Sequence, residues 1–268
     1  MFRLPTTLLG RTGLRVTRLG VGGAYCKTPE GYQYALDSGV NYLDTAPAYH
    51  EGKDEEYVGK AIAGRRQNLV LATKVGKRDA AGARQELETS LRLLGTDYID
   101  IWQLHYLNKA EEREQALGPG GALETAVKAR EQGLIRFIGV TGHIWDEIAK
   151  AVATGLFDTV LCWYSCAKRE PESNVFVEAS KHNTGVIIMN ATGTDKLLEA
   201  EDAPPLADFY RYVLGHPAVN VVLRGNRDPQ LFCKVAKALA DNSTLTEEQR
   251  AEMEVYGARM RAMEKPAD

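Results

Sequence analysis

The sequence predicts a (β/α)₈ barrel, and three observations predict it. Eight short apolar runs rich in Val and Ile recur along the 268 residues, at 19–23, 41–46, 69–75, 97–105, 135–142, 159–164, 185–190 and 219–225. Amphipathic stretches of helical period lie between them, giving a unit of roughly 30 residues, the signature of parallel βαβ repeats. The runs are nearly continuous in apolar character, which implies a sheet covered on its outer face and packed within. Eight such units favour closure into a barrel over an open doubly wound sheet. No linker-like stretch divides the chain, and roughly 250 residues is ordinary for one barrel. Residues 1–268 are therefore expected to form a single domain.

The elements follow in order. Ahead of the first run, TTLLGRTGLRVTRLG (6–20) alternates apolar and polar residues around a glycine-containing turn. It reads as a β-hairpin, expected to plug the amino-terminal mouth of the barrel. Among the helices, residues 83–95 place Leu87, Leu91 and Leu94 on one face, and 122–133 and 146–155 carry the same period. Gly39, Gly64, Gly95, Gly133 and Gly155 stand where helix C-caps are needed, each shortly before a strand. The polar segment 108–121 reads as a mobile lid. The tail 244–263 opens with Thr246 and acids in its first turn, as an extra helix should, and its Met253, Tyr256, Met260 and Met263 are spaced to pack on the barrel.

Composition excludes several classes. Net charge is −3, with 26% charged residues interspersed throughout, so there is no basic stripe for nucleic acid and no polybasic membrane anchor. No apolar run approaches the about 20 residues that span a bilayer. The N-terminus, MFRLPTTLLG, lacks the apolar core and cleavage site of a signal peptide. Cys26, Cys162, Cys166 and Cys233 lack a second pair or histidine cluster at ligand spacing, so reduced thiols, no metal site and a cytoplasmic setting are expected.

In this fold chemistry sits at the carboxyl ends of the strands. Strand two ends in DTAPAY, giving Asp44 and Tyr49; strand three gives Lys74 in LATKVG; strand four gives His105 in WQLHYL. Singly each has a bland reading: an acid may cap a helix, and a lone histidine is usually a satisfied core residue. A lysine ending a buried strand is harder to dismiss, because an unpaired buried ammonium is expensive. Asp44 on the neighbouring strand is the available partner. A Lys⁺ beside Tyr49 should favour its phenolate and lower its pKa from about 10, with Asp44 orienting the lysine. His105 can hydrogen-bond the same substrate oxygen. The group suits protonation of an oxyanion as hydride reaches its carbon.

These residues, in their contexts DTAPAY, ATKVG and QLHYL, resemble the catalytic tetrad of the aldo-keto reductases. DEEYVG (54–59) is similar to the family's second-helix segment, with Asp54 where Ser is usual. Residues 118–143, ending GVTGH, resemble a bacterial branch whose fifth strand ends in Thr-Gly-His. The resemblance implies an extended nicotinamide cofactor across the carboxyl face without a Rossmann domain. It places Gly22 and Gly23 beneath the nicotinamide and Thr141 at its carboxamide, with Asp44 also adjoining the cofactor. Met189, Asn190, Ala191 and Thr192 would contact the nicotinamide face and diphosphate. Arg224, Gly225, Arg227, Gln230 and Lys234 would hold the adenosine end. The Arg227 guanidinium can clamp a 2′-phosphate, so NADP(H) is expected over NAD(H).

At strands six and seven four further positions depart from the family pattern: Leu161 for Gln, Ser165 for Asn, Asn190 for Lys, and Asp195 within a glycine-rich stretch. They touch cofactor binding more than the tetrad and imply altered affinity. Tyr25, Tyr49, Tyr106, Trp145 and Trp163 are expected to wall an aromatic substrate pocket. The implied activity is NADPH-dependent reduction of an aldehyde or ketone to an alcohol, by a monomer or weak homo-oligomer. The alternatives are a slow-turnover nicotinamide-binding regulatory subunit and a barrel enzyme using Tyr49 and Lys74 for proton chemistry alone.

Overall fold

The computed structural model describes residues 3–263. A hairpin of β1 (Thr6–Leu8) and β2 (Arg15–Thr17) comes first, paired antiparallel. Eight strands follow: β3 (Leu19–Gly22), β4 (Tyr42–Asp44), β5 (Val70–Val75), β6 (Ile99–Leu104), β7 (Ile135–Thr141), β8 (Thr159–Trp163), β9 (Gly185–Met189) and β10 (Val219–Gly225). All neighbours are parallel, and β10 closes on β3 with Val222 opposite Leu19. The (β/α)₈ barrel is thus present with every expected strand.

The helices are α1 (Pro29–Asp37), α2 (Asp54–Ile62), α3 (Ala80–Leu94), α4 (Ala110–Leu117), α5 (Ala122–Glu131), α6 (Trp145–Ala153), α7 (Val175–His182), α8 (Leu206–Leu214), α9 (Pro229–Asp241) and α10 (Glu247–Met263). Their starts are chemically marked. Thr28 caps α1 ahead of Pro29, Asp79 caps α3, and Asp228 caps α9. Thr246 and Gln249 form a reciprocal capping box on α10. Their ends obey the glycine rule: all five glycines expected there adopt φ between 61° and 91°.

Strand residues alternate between two cores. One parity, including Leu43, Leu71, Trp102 and Val140, packs against the helices. The other, including Tyr42, Val70, Ala72, Ile101, Leu161, Ile187 and Val221, fills the barrel interior. Leu9, Leu14 and Val16 of the hairpin join this interior core, so the hairpin does plug the amino-terminal end. Arg11 fastens it, donating to Asp158 Oδ1 and the Gly155 carbonyl, both at 2.9 Å.

Two segments refine the expectations. Residues 108–121 contain the helix α4 with Ala116 buried and Arg113 ion-paired to Glu147 of α6, in place of an irregular lid. The α10 helix packs on the barrel through Met253 and Tyr256, whose hydroxyl donates to the Leu197 carbonyl at 2.6 Å. Met263 extends past this contact and is exposed. Among the described residues no helix is long and apolar enough to cross a membrane.

Candidate active site

The parity that fills the interior brings its last residues to the carboxyl mouth: Asp44 on β4, Lys74 on β5, Gln103 on β6, Thr141 on β7, Trp163 on β8 and Met189 on β9. Lys74 is 1% exposed, and its Nζ donates to Asp44 Oδ1 at 2.5 Å and the Thr45 carbonyl at 2.8 Å. Gln103 Nε2 donates to the other Asp44 oxygen at 2.8 Å. The buried ammonium and carboxylate therefore neutralise one another with hydrogen bonds to spare, the condition under which such a pair survives burial.

Tyr49 opens a tight turn, Tyr49–Gly52, that follows β4 after a short loop and carries His50 and Glu51 in left-handed backbone. Lys74 Nζ lies 4.6 Å from its ring centroid. Burial raises the Tyr49 pKa, and the Lys74 ammonium opposes this without overcoming it. The expected net lowering is thus not present; desolvation of the phenolate outweighs the cation, and the phenol stays protonated. His105 follows β6, its ring edge-on to Tyr49 at 6.3 Å between centroids. Burial, then the Lys74 charge, push His105 down to about 2, so its imidazole is neutral. All four residues singled out from strand ends converge here.

Aromatic rings continue outward from them. His105 stacks on Tyr106 at 3.8 Å, Tyr106 meets His143 edge-on at 4.8 Å, and His143 stacks on Trp163 at 4.5 Å. Tyr106 sits at φ 54°, sparsely populated for an aromatic residue, with its carbonyl accepting from Arg78 and the Asn108 amide.

A cleft of about 420 Å³ runs from this wall across the mouth. Of the residues expected to contact a cofactor, Gly22, Gly23, Asp44, Met189, Asn190, Ala191, Thr192, Arg224, Gly225 and Arg227 line it. Thr141 is buried beside it, while Gln230 and Lys234 lie outside its lining on the solvent side of α9. Of the expected pocket aromatics, Tyr49, Tyr106 and Trp163 line the cleft near the tetrad. Tyr25 lines the opposite end, its ring 4.1 Å from the Arg227 guanidinium. Trp145 is a prop instead, its indole donating to the Trp163 carbonyl at 2.9 Å from within the first turn of α6.

The departures settle differently. Leu161 is absorbed into the barrel core, and Ser165 Oγ accepts from the amides of Ala167 and Lys168. Asp195 lines the cleft, and its carboxylate accepts from the Thr192 hydroxyl at 2.9 Å. Asn190, Thr194 and Asp195 all adopt positive φ, so this loop turns sharply back over the mouth.

Several lining residues were not anticipated. His143 had a signal in the Thr-Gly-His ending of strand five. Tyr210, which accepts from Arg224 at 2.7 Å, had none, because on α8 it reads as one more apolar-face residue.

Residues 27–209, more than half of the chain, match the model of the aldo/keto reductase family. The Bacillus subtilis aldo-keto reductase YhdN is 32% identical over 205 residues, covering 68% of this chain and 60% of that protein. The chain thus spans about three fifths of the length of that curated relative. A holo-form aldo-keto reductase structure from Bacillus halodurans superposes with a TM-score of 0.80 at 26% identity, covering 94% of this chain and 96% of that one. An aldo/keto reductase structure from Klebsiella pneumoniae superposes with a TM-score of 0.79 at 24% identity, covering 95% and 96%. The eight-stranded barrel, the residues gathered at its mouth and these matches agree: the chain belongs to the aldo-keto reductase family of oxidoreductases.

Proposed function

We propose that this protein, acting as one barrel domain over the whole chain, reduces an aldehyde or ketone to an alcohol with NADPH. The observation that carries the reading is the Lys74 ammonium, wholly buried against Asp44 and beside the Tyr49 ring. An arrangement so costly to bury has little structural reason to exist, and it lies where a reacting oxygen would be held.

The residues present fit a nicotinamide dinucleotide. Arg224 Nε is buried on the cleft without a partner among the described residues, a cationic donor suited to an anion. Gly22, Gly23 and residues 189–192 would carry the nicotinamide and diphosphate, and Arg224, Gly225 and Arg227 the adenosine phosphate. When bound, the nicotinamide supplies the hydride. Tyr49, kept protonated by burial, gives its hydroxyl proton to the carbonyl oxygen as that oxygen gains charge, and is reprotonated from solvent. The Lys74 ammonium stabilises the transient phenolate. Neutral His105 orients the carbonyl by hydrogen bonding, and Tyr106, His143 and Trp163 offer flat apolar faces to the substrate body. The Klebsiella pneumoniae structure is a complex with NADP and acetate. For this chain the preference for NADP(H) rests on Arg227, whose exposed guanidinium at the cleft edge suits a 2′-phosphate.

Tyr49→Phe tests the reading. It should lower turnover at least about 100-fold while leaving NADPH affinity, followed by tryptophan fluorescence, unchanged. A variant that keeps most of its carbonyl reduction removes Tyr49 from the proton-donor role.

A further inference from the structure

Asp54, the first residue of α2, is fully buried, with 0% exposure. Its carboxylate is a meeting point for three segments. The Tyr32 hydroxyl of α1 lies 2.9 and 2.8 Å from its two oxygens, and Thr45 Oγ1 donates at 2.6 Å. His50 Nε2 stands 3.7 Å from Oδ1. That same nitrogen is 3.0 Å from the Gly23 carbonyl oxygen. A carbonyl only accepts, so Nε2 carries a proton.

The positions of these partners are what matter. Thr45 follows Asp44 and its carbonyl accepts from Lys74; His50 follows Tyr49; Gly23 belongs to the cleft floor. A Cβ at Gly23 would overlap Asp54 Oδ2, so the floor rests directly on this carboxylate. The turn after Tyr49 also needs support. His50 and Glu51 adopt φ of 49° and 57°, the left-handed region that L-residues enter only when their surroundings hold them there. Other titratable groups facing Asp54 are Cys26 ahead of α1, Lys74 at the end of β5 and Glu55 beside it on α2, while Asp44 acts on its partner Tyr32.

We propose that Asp54 is a positioning residue: through His50 and Thr45 it holds Tyr49 and Asp44 against the Gly23 floor without touching the substrate. The proposal rests on the carbonyl-reduction reading for its kinetic readout only. Burial pushes Asp54 up to about 6, with its hydrogen bonds to Thr45 and Tyr32 and the facing His50 opposing. The carboxylate that faces His50 is therefore present above that pH and discharged below it. Turnover follows, with an acid-side inflection near pH 6 that belongs to Asp54.

Asp54→Asn keeps the shape and removes the charge. Its kcat at pH 7 falls on the order of 10- to 100-fold, the cost of a misplaced donor, and the inflection disappears. Hydrogen exchange measured by mass spectrometry accelerates across residues 46–53 and nowhere else in the barrel. Tyr32→Phe removes one donor to the carboxylate and so moves the inflection to higher pH. A parent enzyme that reduces no carbonyl, with exchange still accelerated in Asp54→Asn, refutes the activity and upholds the positioning. Unchanged exchange at 46–53, or an inflection that survives in Asp54→Asn, overturns the proposal. If Asp54→Asn does not fold, Tyr32→Phe decides alone, by whether the inflection and the exchange at 46–53 move.

Discussion

Replacing Lys74 with methionine tests the buried ion pair most severely. Lys74 and Asp44 are 1% and 2% exposed, so neither can turn to water when its partner goes. In Lys74→Met the Asp44 carboxylate keeps only the Gln103 amide donor and loses its 2.5 Å ammonium contact. Leaving a buried charge uncompensated costs about 3–5 kcal/mol. At roughly 2–4 °C per kcal/mol for a chain near this size, the midpoint of thermal unfolding drops by roughly 6–20 °C. The double variant Lys74→Met with Asp44→Asn removes both charges while Gln103 keeps an acceptor. It should therefore be more stable than Lys74→Met alone by about 2 kcal/mol, although it carries one more substitution. Urea denaturation followed by circular dichroism at 222 nm measures all three proteins on one scale. A loss under about 1 kcal/mol in the single variant, or a double variant no better than the single, would show that the pair is not dry, and the argument from Lys74 burial would fail.

Three further outcomes follow from the same structure. Arg227→Ala should weaken NADPH binding roughly 10- to 100-fold, the worth of one charge-assisted contact, and leave NADH binding within twofold; equal losses for both would remove Arg227 from the 2′-phosphate site. His105 sits at about 2 when folded but near 6.5 when unfolded, so its contribution is complete above pH 6.5 and is lost as pH falls below it, by up to about 1.4 kcal/mol per pH unit. His105→Gln should flatten that part of the stability profile between pH 6.5 and 4, and an unchanged slope contradicts a neutral buried imidazole. Gly257→Ala has no room for its Cβ against the Cys166 carbonyl, so it should destabilise by about 1–3 kcal/mol and open α10 to proteolysis, although helix propensity alone predicts a gain.

Much of this was legible in the sequence, because short-range rules governed it. Continuous apolar runs for the barrel strands, period 3.6 for helices and glycine after five of the helices placed those elements to within about three residues. The gathering of Asp44, Tyr49, Lys74 and His105 at one mouth was legible because Lys74 broke an apolar run, and a buried cation advertises its need for a partner. Features that depend on side-chain direction were not. Trp145 and His143 are two residues apart, and sequence spacing cannot say which of them faces the cleft. The net effect on Tyr49 was misjudged for a related reason: the nearness of Lys74 could be inferred, but the depth of burial that outweighs it could not. Asp54 stood out only as a substitution for Ser, since its partners Tyr32, Thr45 and His50 come from three separate segments. The 108–121 segment misled because its charged composition resembles a loop, while one buried Ala116 and the Arg113–Glu147 pair suffice to fix it as a helix.

The plug at the barrel floor bears on the order in which the molecule assembles. Arg11 finds its partners 144 to 171 positions downstream, and Arg18 donates to the carbonyls of Leu214 and Val219, 196 and 201 positions away. The strand beside β3 on one side is the last one, β10. The hairpin, made before the barrel it plugs, therefore cannot be seated until β10 exists, and Leu9, Leu14 and Val16 stay exposed until then. Closing loops of that length is entropically slow work, and it makes the hairpin the latch of the fold: a weakened latch would show itself in delayed maturation and chaperone demand before it showed in the finished barrel.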